Sequence, residues 1–415
     1  MMPARALDRR RRVARAAMFT AALVAWQCAG PAAGAYSFNY QVADMRQPAD
    51  ISGGTACPQP TRQNTALPGG IPIQWSTSLG TTPATILTAN QTPAGRLAEI
   101  SATVTAAYGI WTGVSGTSLA PAVFAPLGTT AAQNACNPTD GVDTICFDQA
   151  DSAFTTGVLS FTRVTTSDAI GQQAGPGTPP AGFIGQIVDA DILLLPGNSS
   201  VTFATSAALA ANPSAYDLES VLSHEIGHTL GLGHSGVWRA MMSPFGPAPG
   251  TYLGTRPTAG QPDAPLADDD RAGLRALYRS AADTAHAGII SGRVLPANPL
   301  ILPTGTTGVF GAQVVAVDTA SGAVAAAAIG GWSCADPGPA QFDGSYTIEK
   351  LAVGSPENYE IYAEPLDGPL EPSDVPGATT ALCRNAITDP GWPTQFACTS
   401  PPVAAEFSTT IRSGP

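Results

Sequence analysis

Lysine is all but missing from this 415-residue chain: of 19 basic residues only Lys350 is a lysine, and charged residues of both signs make up 12%. A surface so poor in cations excludes nucleic acid or an anionic membrane as a partner, since both are bound by clustered positive charge. Low charge together with Gly 44 and Pro 38 favours short strands and loops over long surface helices. Past residue 35 no apolar run approaches the ~20 residues that a spanning helix needs, and no internal repeat is present. Histidine is scarce too, with four in the whole chain.

What is present begins with an export signal. Arg5, Arg9 to Arg12 and Arg15 form a positive segment, Ala16 to Trp26 an apolar one, and Ala33-Gly34-Ala35 a small-residue cleavage site, so residues 1–35 read as a signal peptide, with twin-arginine export left open. Its loss removes six arginines and one aspartate, leaving 13 basic against 30 acidic residues and a net charge of −17. It also removes Cys28 and leaves six cysteines: Cys57, Cys136, Cys146, Cys334, Cys383 and Cys398. An even count in an exported chain fits up to three disulfides, and Cys136 with Cys146 is the pair closest in sequence. The protein is therefore expected outside the cytoplasm, with no membrane span once the signal is gone; its oligomeric state is not fixed by the sequence, and a monomer is assumed. The use of Arg over Lys, with abundant Ala, Gly and Pro, fits a GC-rich bacterial genome.

The length suits two domains. Residues 36–65 are polar and turn-rich, a short prosegment or an irregular N-terminal arm. Pro72 to Ser78 reads as a strand, and Leu97, Ile100, Val104, Tyr108 and Trp111 recur at helical spacing. The stretches DTICF, GVLSFTRV and QIVDADILLL read as strands, and YDLESVLSHEIGHTL as a second helix with Asp217 as its N-cap. A Pro/Gly-rich loop from Phe245 to Pro265 leads to a third helix, DDDRAGLRALYRS. Residues 66–280 form this first unit, 281–286 a linker, and 287–415 a region of alternating apolar residues and Gly turns that predicts an antiparallel β-sandwich.

Three of the four histidines fall within HEIGHTLGLGH: His224, His228 and His234. Residues four apart on a helix lie one turn above each other, so His224 and His228 offer two imidazoles from one face to a single ion. A third ligand must come from another direction. Gly231 can take a left-handed conformation, end the helix and turn the chain back so that His234 reaches the ion. Three imidazoles leave a four-coordinate zinc one open position, the arrangement of a catalytic site. Zinc brings the pKa of its water from 15.7 toward about 7, and Glu225, beside the first ligand, is the expected general base.

HEIGHTLGLGH is the motif of the metzincin metallopeptidases, and its surroundings resemble the matrixin branch. Ser235 follows the third histidine, and Ala240 to Pro244 resembles the Met-turn, with spacing favouring Met242 over Met241 as the methionine that floors the metal. The resemblance runs over about residues 66–280, from AAYGIWTGVSG through DLESVLSHEIGH to LADDDRAGLRALY. It implies that Asp269 and Asp270 support the Met-turn, bind the mature N-terminus or simply cap their helix. It also implies an extended substrate beside an edge strand, placed at GVLSFTRV with Gly157, Val158, Leu159 and Ser160 foremost, and a specificity-pocket wall at Pro244 and Phe245. Pro244-Phe245-Gly246 departs from the branch's Pro-x-Tyr, so substrate preference does not carry over. No cysteine-switch sequence is present; Cys57 either blocks the zinc in a precursor or pairs in a disulfide. Asp140, Asp143, Asp189 and Asp191 are either calcium ligands or solvated loop acids.

Residues 287 to about 370 resemble the carboxypeptidase-regulatory-like or transthyretin-like β-sandwich. The expected fold class is α+β: a metzincin domain, with a twisted and mostly parallel sheet and an active-site helix, followed by an all-β sandwich. The expected function is that of a secreted zinc metalloendopeptidase acting on protein or peptide through a zinc-bound water activated by Glu225. The alternative is a surface-binding or adhesion protein in which the β-sandwich acts and the metzincin domain is a scaffold.

Overall fold

The computed structural model describes residues 40–41 and most of 59–365; outside the described residues lie 1–39, 42–58 and 366–415, and within the body chiefly 80–85, 127–135, 148–157, 174–179, 196–200, 297–306 and 335–339. The signal peptide, Cys57, Cys383 and Cys398 therefore fall outside them. No helix among the described residues is long and apolar enough to cross a membrane.

The first half is built on a five-stranded sheet. In chain order its elements are β1 (Ile71–Trp75), α1 (Pro93–Thr112), β2 (Ala122–Pro126), β3 (Asp143–Phe147), β4 (Ser160–Thr166), β5 (Ile187–Leu194), α2 (Leu218–Thr229) and α3 (Asp268–Leu277). The strands lie in the order β2-β1-β3-β5-β4; the first four run parallel and β4 runs antiparallel at the edge. Every residue of β3 is buried, and all of β5 but one, as expected of central strands in a sheet covered on its faces. The described strand β4 begins at Ser160, so Val158 and Leu159 lead into it and Gly157 lies outside the described residues. Cys136 and Cys146 form a disulfide.

Helix α1 starts where Thr92 accepts a hydrogen bond from Gly95 N, with Pro93 in the first turn, where its missing N–H costs nothing. Its face of Ile100, Val104, Ala107, Tyr108 and Trp111 is buried, and the Trp111 indole donates to Ser223 O across 2.9 Å, tying α1 to α2. Helix α2 starts on Asp217, whose carboxylate accepts from Ser220 N at 2.7 Å. It ends in a Schellman turn: Leu232 N donates to Gly227 O, Gly231 N donates to His228 O, and Gly231 has φ +98°. A Cβ on Gly231 would also stand 2.0 Å from the carbonyl oxygen of Thr61. The glycine thus answers two demands, a left-handed backbone and the close approach of another chain segment.

That segment is Gln59–Ala66, the end of the expected prosegment or arm. Arg62 N donates to Gly185 O and Ile187 N to Arg62 O, while Gln63 Nε2 donates to Asp143 Oδ2 and to Thr229 O. Gln63 N also donates to the Tyr278 hydroxyl, which itself donates to Leu230 O. Residues 59–66 are therefore built into the same body as the sheet and α2, with Thr61 and Gln63 buried.

Beyond α3, β6 (Gly288–Arg293) pairs antiparallel with β9 (Ser345–Leu351), and β7 (Ala312–Asp318) lies antiparallel between β8 (Val324–Ile329) and β10 (Tyr359–Pro365). Eight of the ten residues of α3 are buried, although a helix closing an independent domain exposes one face. Its second face is covered by β8 and β9, and Val314, Ala326, Ile348 and Leu351 share one apolar cluster with Trp111, Ile226 and Leu274. The core runs without a break across the stretch that reads as a linker.

Gly231→Ala should therefore lower stability by about 2 kcal/mol or more, because the left-handed backbone alone costs a non-glycine residue roughly 1–2 kcal/mol and the arm must move as well. A urea titration reads this, and a loss no larger than that of an exposed helix substitution would contradict the close packing of Thr61.

Candidate metal centre

His224 and His228 stand one turn apart on α2, and their Nε2 atoms are 3.2 Å from each other. The turn at Gly231 brings His234 Nε2 to the same distance, 3.2 Å, from His224 Nε2. A tetrahedral zinc with nitrogen ligands at 2.0–2.1 Å holds its donors about 3.3–3.4 Å apart, so the spacing fits such an ion. His224 Nδ1 is 2.7 Å from Met241 O and His228 Nδ1 is 2.8 Å from Leu232 O. A carbonyl only accepts, so each Nδ1 carries the proton and each Nε2 presents a bare lone pair. Burial, then the neighbouring His224 ring, lowers the His228 pKa to about 3, which keeps that imidazole neutral as a ligand must be. Among the described residues these three form the group of histidine, cysteine or acidic side chains able to hold a metal ion, with all ligand atoms within 4.8 Å and the rings only partly buried. The donor set and its spacing suit zinc.

Glu225 follows the first of these histidines and is itself buried. Its Oε1 accepts from Ser160 Oγ at 2.6 Å and its Oε2 from Thr162 Oγ1 at 2.5 Å, both on edge strand β4. Spacing within the motif does not reveal these partners. The signal was the alternation of hydroxyls at 160 and 162, two residues apart and hence on one strand face.

The chain then returns beneath the histidines. Ala240, Met241, Met242 and Ser243 are buried, and Ser235 N donates to Met242 O at 2.7 Å. A Cβ on Gly227 would lie 2.2 Å from Met242 Sδ, so the Met242 thioether fills the space beside α2 that a side chain there would need. Met241 contributes its main chain: its carbonyl orients His224, and its N–H donates to Asp270 Oδ2 at 2.8 Å. Met242 N donates to Asp270 Oδ1, and Ala267 N to Asp270 Oδ2, so one carboxylate both caps α3 and clasps the turn. Asp269 accepts from Ser235 Oγ at 2.6 Å and from Ala327 N of β8 at 2.7 Å. Burial raises both carboxyls, that of Asp269 to about 7. A Cβ on Gly236 would strike the Gln313 side chain of β7, so the loop after the third histidine rests directly on the C-terminal sheets.

Leu159 and Gly246 approach each other, a Cβ on the glycine standing 3.6 Å from Leu159 Cδ1, and Phe245 between the Met-turn and this contact is exposed. Pro244 lies outside the described residues. The loop that follows is anchored to the start of α2: Arg256 pairs with Asp217 and Glu219 and lies 3.9 Å over the Tyr252 ring, and Leu253 N donates to Ser220 Oγ. The four aspartates weighed for calcium gather at β3 and β5. Gly141 N donates to Asp189, Val142 N to Asp140, Thr144 N to Asp191, and Gln63 Nε2 to Asp143. Asp143, Asp189 and Asp191 are buried and Asp140 is half-buried, and burial raises Asp189 to about 7, Asp191 to about 8 and Asp143 well above the usual carboxylate range.

Comparison with known proteins agrees with this geometry. Residues 129–279 match the family described as Matrixin, Peptidase_M10. Metalloendoproteinase 1 of Glycine max is 51% identical over 65 residues, 16% of this chain and 18% of that protein. Metalloendoproteinase 5-MMP of Arabidopsis thaliana is 36% identical over 110 residues, 26% of each, and matrix metalloproteinase-25 of Homo sapiens 44% identical over 71, 17% of this chain and 11% of that protein. The chain thus spans at most 26% of the length of these relatives. Residues 129–279, which contain the histidine triad and the turn beneath it, are the part of the chain that is similar to the matrixin family.

Proposed function

We propose that the protein is a secreted zinc-dependent endopeptidase. The observation that carries this reading is the convergence of three Nε2 atoms, those of His228 and His234 each 3.2 Å from that of His224, with Glu225 next to the first histidine. Bound zinc would supply a Lewis acid for the scissile carbonyl and lower the pKa of the attacking water. Glu225 takes the proton from that water and returns it to the nitrogen of the departing amine. His224, His228 and His234 would hold the ion from the protein side, with Met241 O and Leu232 O fixing two of the three rings. The substrate lies extended along β4, main chain to main chain, which asks little of its sequence. Pro244 and Phe245, placed by the motif resemblance, are the proposed wall of the pocket for one side chain. The export signal and the acidic mature chain support action outside the cytoplasm.

The C-terminal strands form a carboxypeptidase-regulatory-like β-sandwich whose task is to brace the peptidase domain through α3. Under the adhesion reading these sheets would be the working part. An open-sided histidine triad with a buried carboxylate beside it has no use in a binding scaffold, which favours the peptidase.

Two outcomes are expected. The purified protein should bind about one equivalent of zinc, and His234→Ala should weaken that binding by at least the ~10–100-fold seen when only a ligand's partner is lost; metal analysis after dialysis against graded chelator reads it. Glu225→Ala should remain folded and zinc-loaded yet cleave a mixed peptide library at least ~100-fold more slowly, followed by mass spectrometry. Cleavage by Glu225→Ala at the parental rate would exclude the mechanism, and a parent that binds zinc but cuts nothing would favour the scaffold reading.

A further inference from the structure

We infer that Ser160 and Thr162 are positioning residues for the base: together they fix the Glu225 carboxylate from the strand along which the substrate lies. This rests on the peptidase reading above and says how its base is held. A carboxylate at the end of a glutamate side chain turns freely about its last bond unless both oxygens are engaged. Here each oxygen has its own hydroxyl donor, Ser160 Oγ on Oε1 at 2.6 Å and Thr162 Oγ1 on Oε2 at 2.5 Å. Thr162 Oγ1 is also 3.1 Å from the main-chain oxygen of Glu225, so it is seated against the helix as well as the side chain. A hydroxyl has one proton, and the shorter, charge-assisted contact to the carboxylate takes it.

A carboxylate has about four lone-pair sites, and two hydroxyls leave one on each oxygen for a water. The clamp therefore orients the base without blocking it. Its donors are well placed for a further reason. Residues 160 and 162 share one face of β4, turned to α2, whereas the main chain of the same strand is the proposed lane for substrate. Peptide register and base orientation are thereby set by a single element, and neither can shift without the other. Glu225 is buried, with 4% of its surface exposed, so an unheld carboxylate would have no water shell to replace the two hydroxyls.

The test uses the full-length zinc-loaded protein and the variants Ser160→Ala, Thr162→Val, the double Ser160→Ala/Thr162→Val, and Thr162→Ser. Thr162→Val keeps the shape of the side chain and removes its hydroxyl, and Thr162→Ser keeps the hydroxyl. On a cleaved peptide, each single removal should lower kcat about tenfold and the double variant further, in the range ~10–100-fold of residues that orient a working group, with KM within about twofold and zinc content unchanged. Thr162→Ser should stay within about twofold of the parent. A crystal structure of the double variant should show the carboxylate turned away from its parental position. Parental kcat in the double variant, or a loss matched by lost zinc or lost folded protein, would overturn the inference. If the parent cuts no peptide, the peptidase reading falls, and the carboxylate position in the crystal structures decides this one alone: an unmoved carboxylate refutes it.

Discussion

Three imidazole nitrogens drawn toward one point crowd each other unless a cation lies between them, and the surroundings of residues 224–242 are arranged to impose that convergence. Two of the imidazoles are delivered by helix periodicity alone. The third requires the helix to stop, and it stops through the paired hydrogen bonds of Leu232 and Gly231 to Gly227 and His228. Leu232 then serves twice, since its carbonyl also fixes the His228 ring. The break in the helix and the orientation of a ligand are one piece of backbone.

Everything packed around that turn holds it from a different side. The arm at Thr61 presses on Gly231, Tyr278 takes up Leu230 O, and Asp270 grips the main chain of Met241 and Met242, whose carbonyls meet His224 Nδ1 and Ser235 N. Asp269 links Ser235, next to the third histidine, to Ala327 in the C-terminal sheets. A carboxyl buried so deeply that its pKa rises to about 7 is costly to place, and the two donors it receives explain why the site tolerates it. The C-terminal region is accordingly part of the support of the metal centre, and the unbroken apolar core says the same in terms of packing.

Much of the centre was legible in the sequence because its logic is local. His224 and His228 four apart, Asp217 at the helix start and a glycine at the failing end all follow from the geometry of a single helix, and the structure has each element near its expected span. What was not legible depends on residues far apart in the chain. Thr61 is 170 residues from Gly231, Ser160 lies 65 from Glu225, and Asp269 lies 58 from Ala327. A prosegment and an arm look alike in composition, and the composition of residues 59–66 does not disclose that Thr61 and Gln63 are buried. A linker at 281–286 was read from small residues and turns, yet α3 is buried on both faces, a fact that no spacing within α3 discloses.

The same distinction bears on substrate choice. Under the proposed main-chain pairing along β4 the strand itself is indifferent to side chains, so discrimination falls to the residues beside it, where Gly246 lies close to Leu159. Gly246 belongs to the first part of a loop rich in Gly and Pro, a composition that by itself promises little rigidity. The loop is nonetheless fixed at its far end, with Arg256 held between Asp217 and Glu219 and stacked on Tyr252, and Leu253 N bonded to Ser220. Asp217 caps α2 and anchors this arginine at once. The far end of the loop and helix α2 are therefore tied to a common carboxylate, so the loop's position beside the histidine-bearing helix does not depend on its own stiffness.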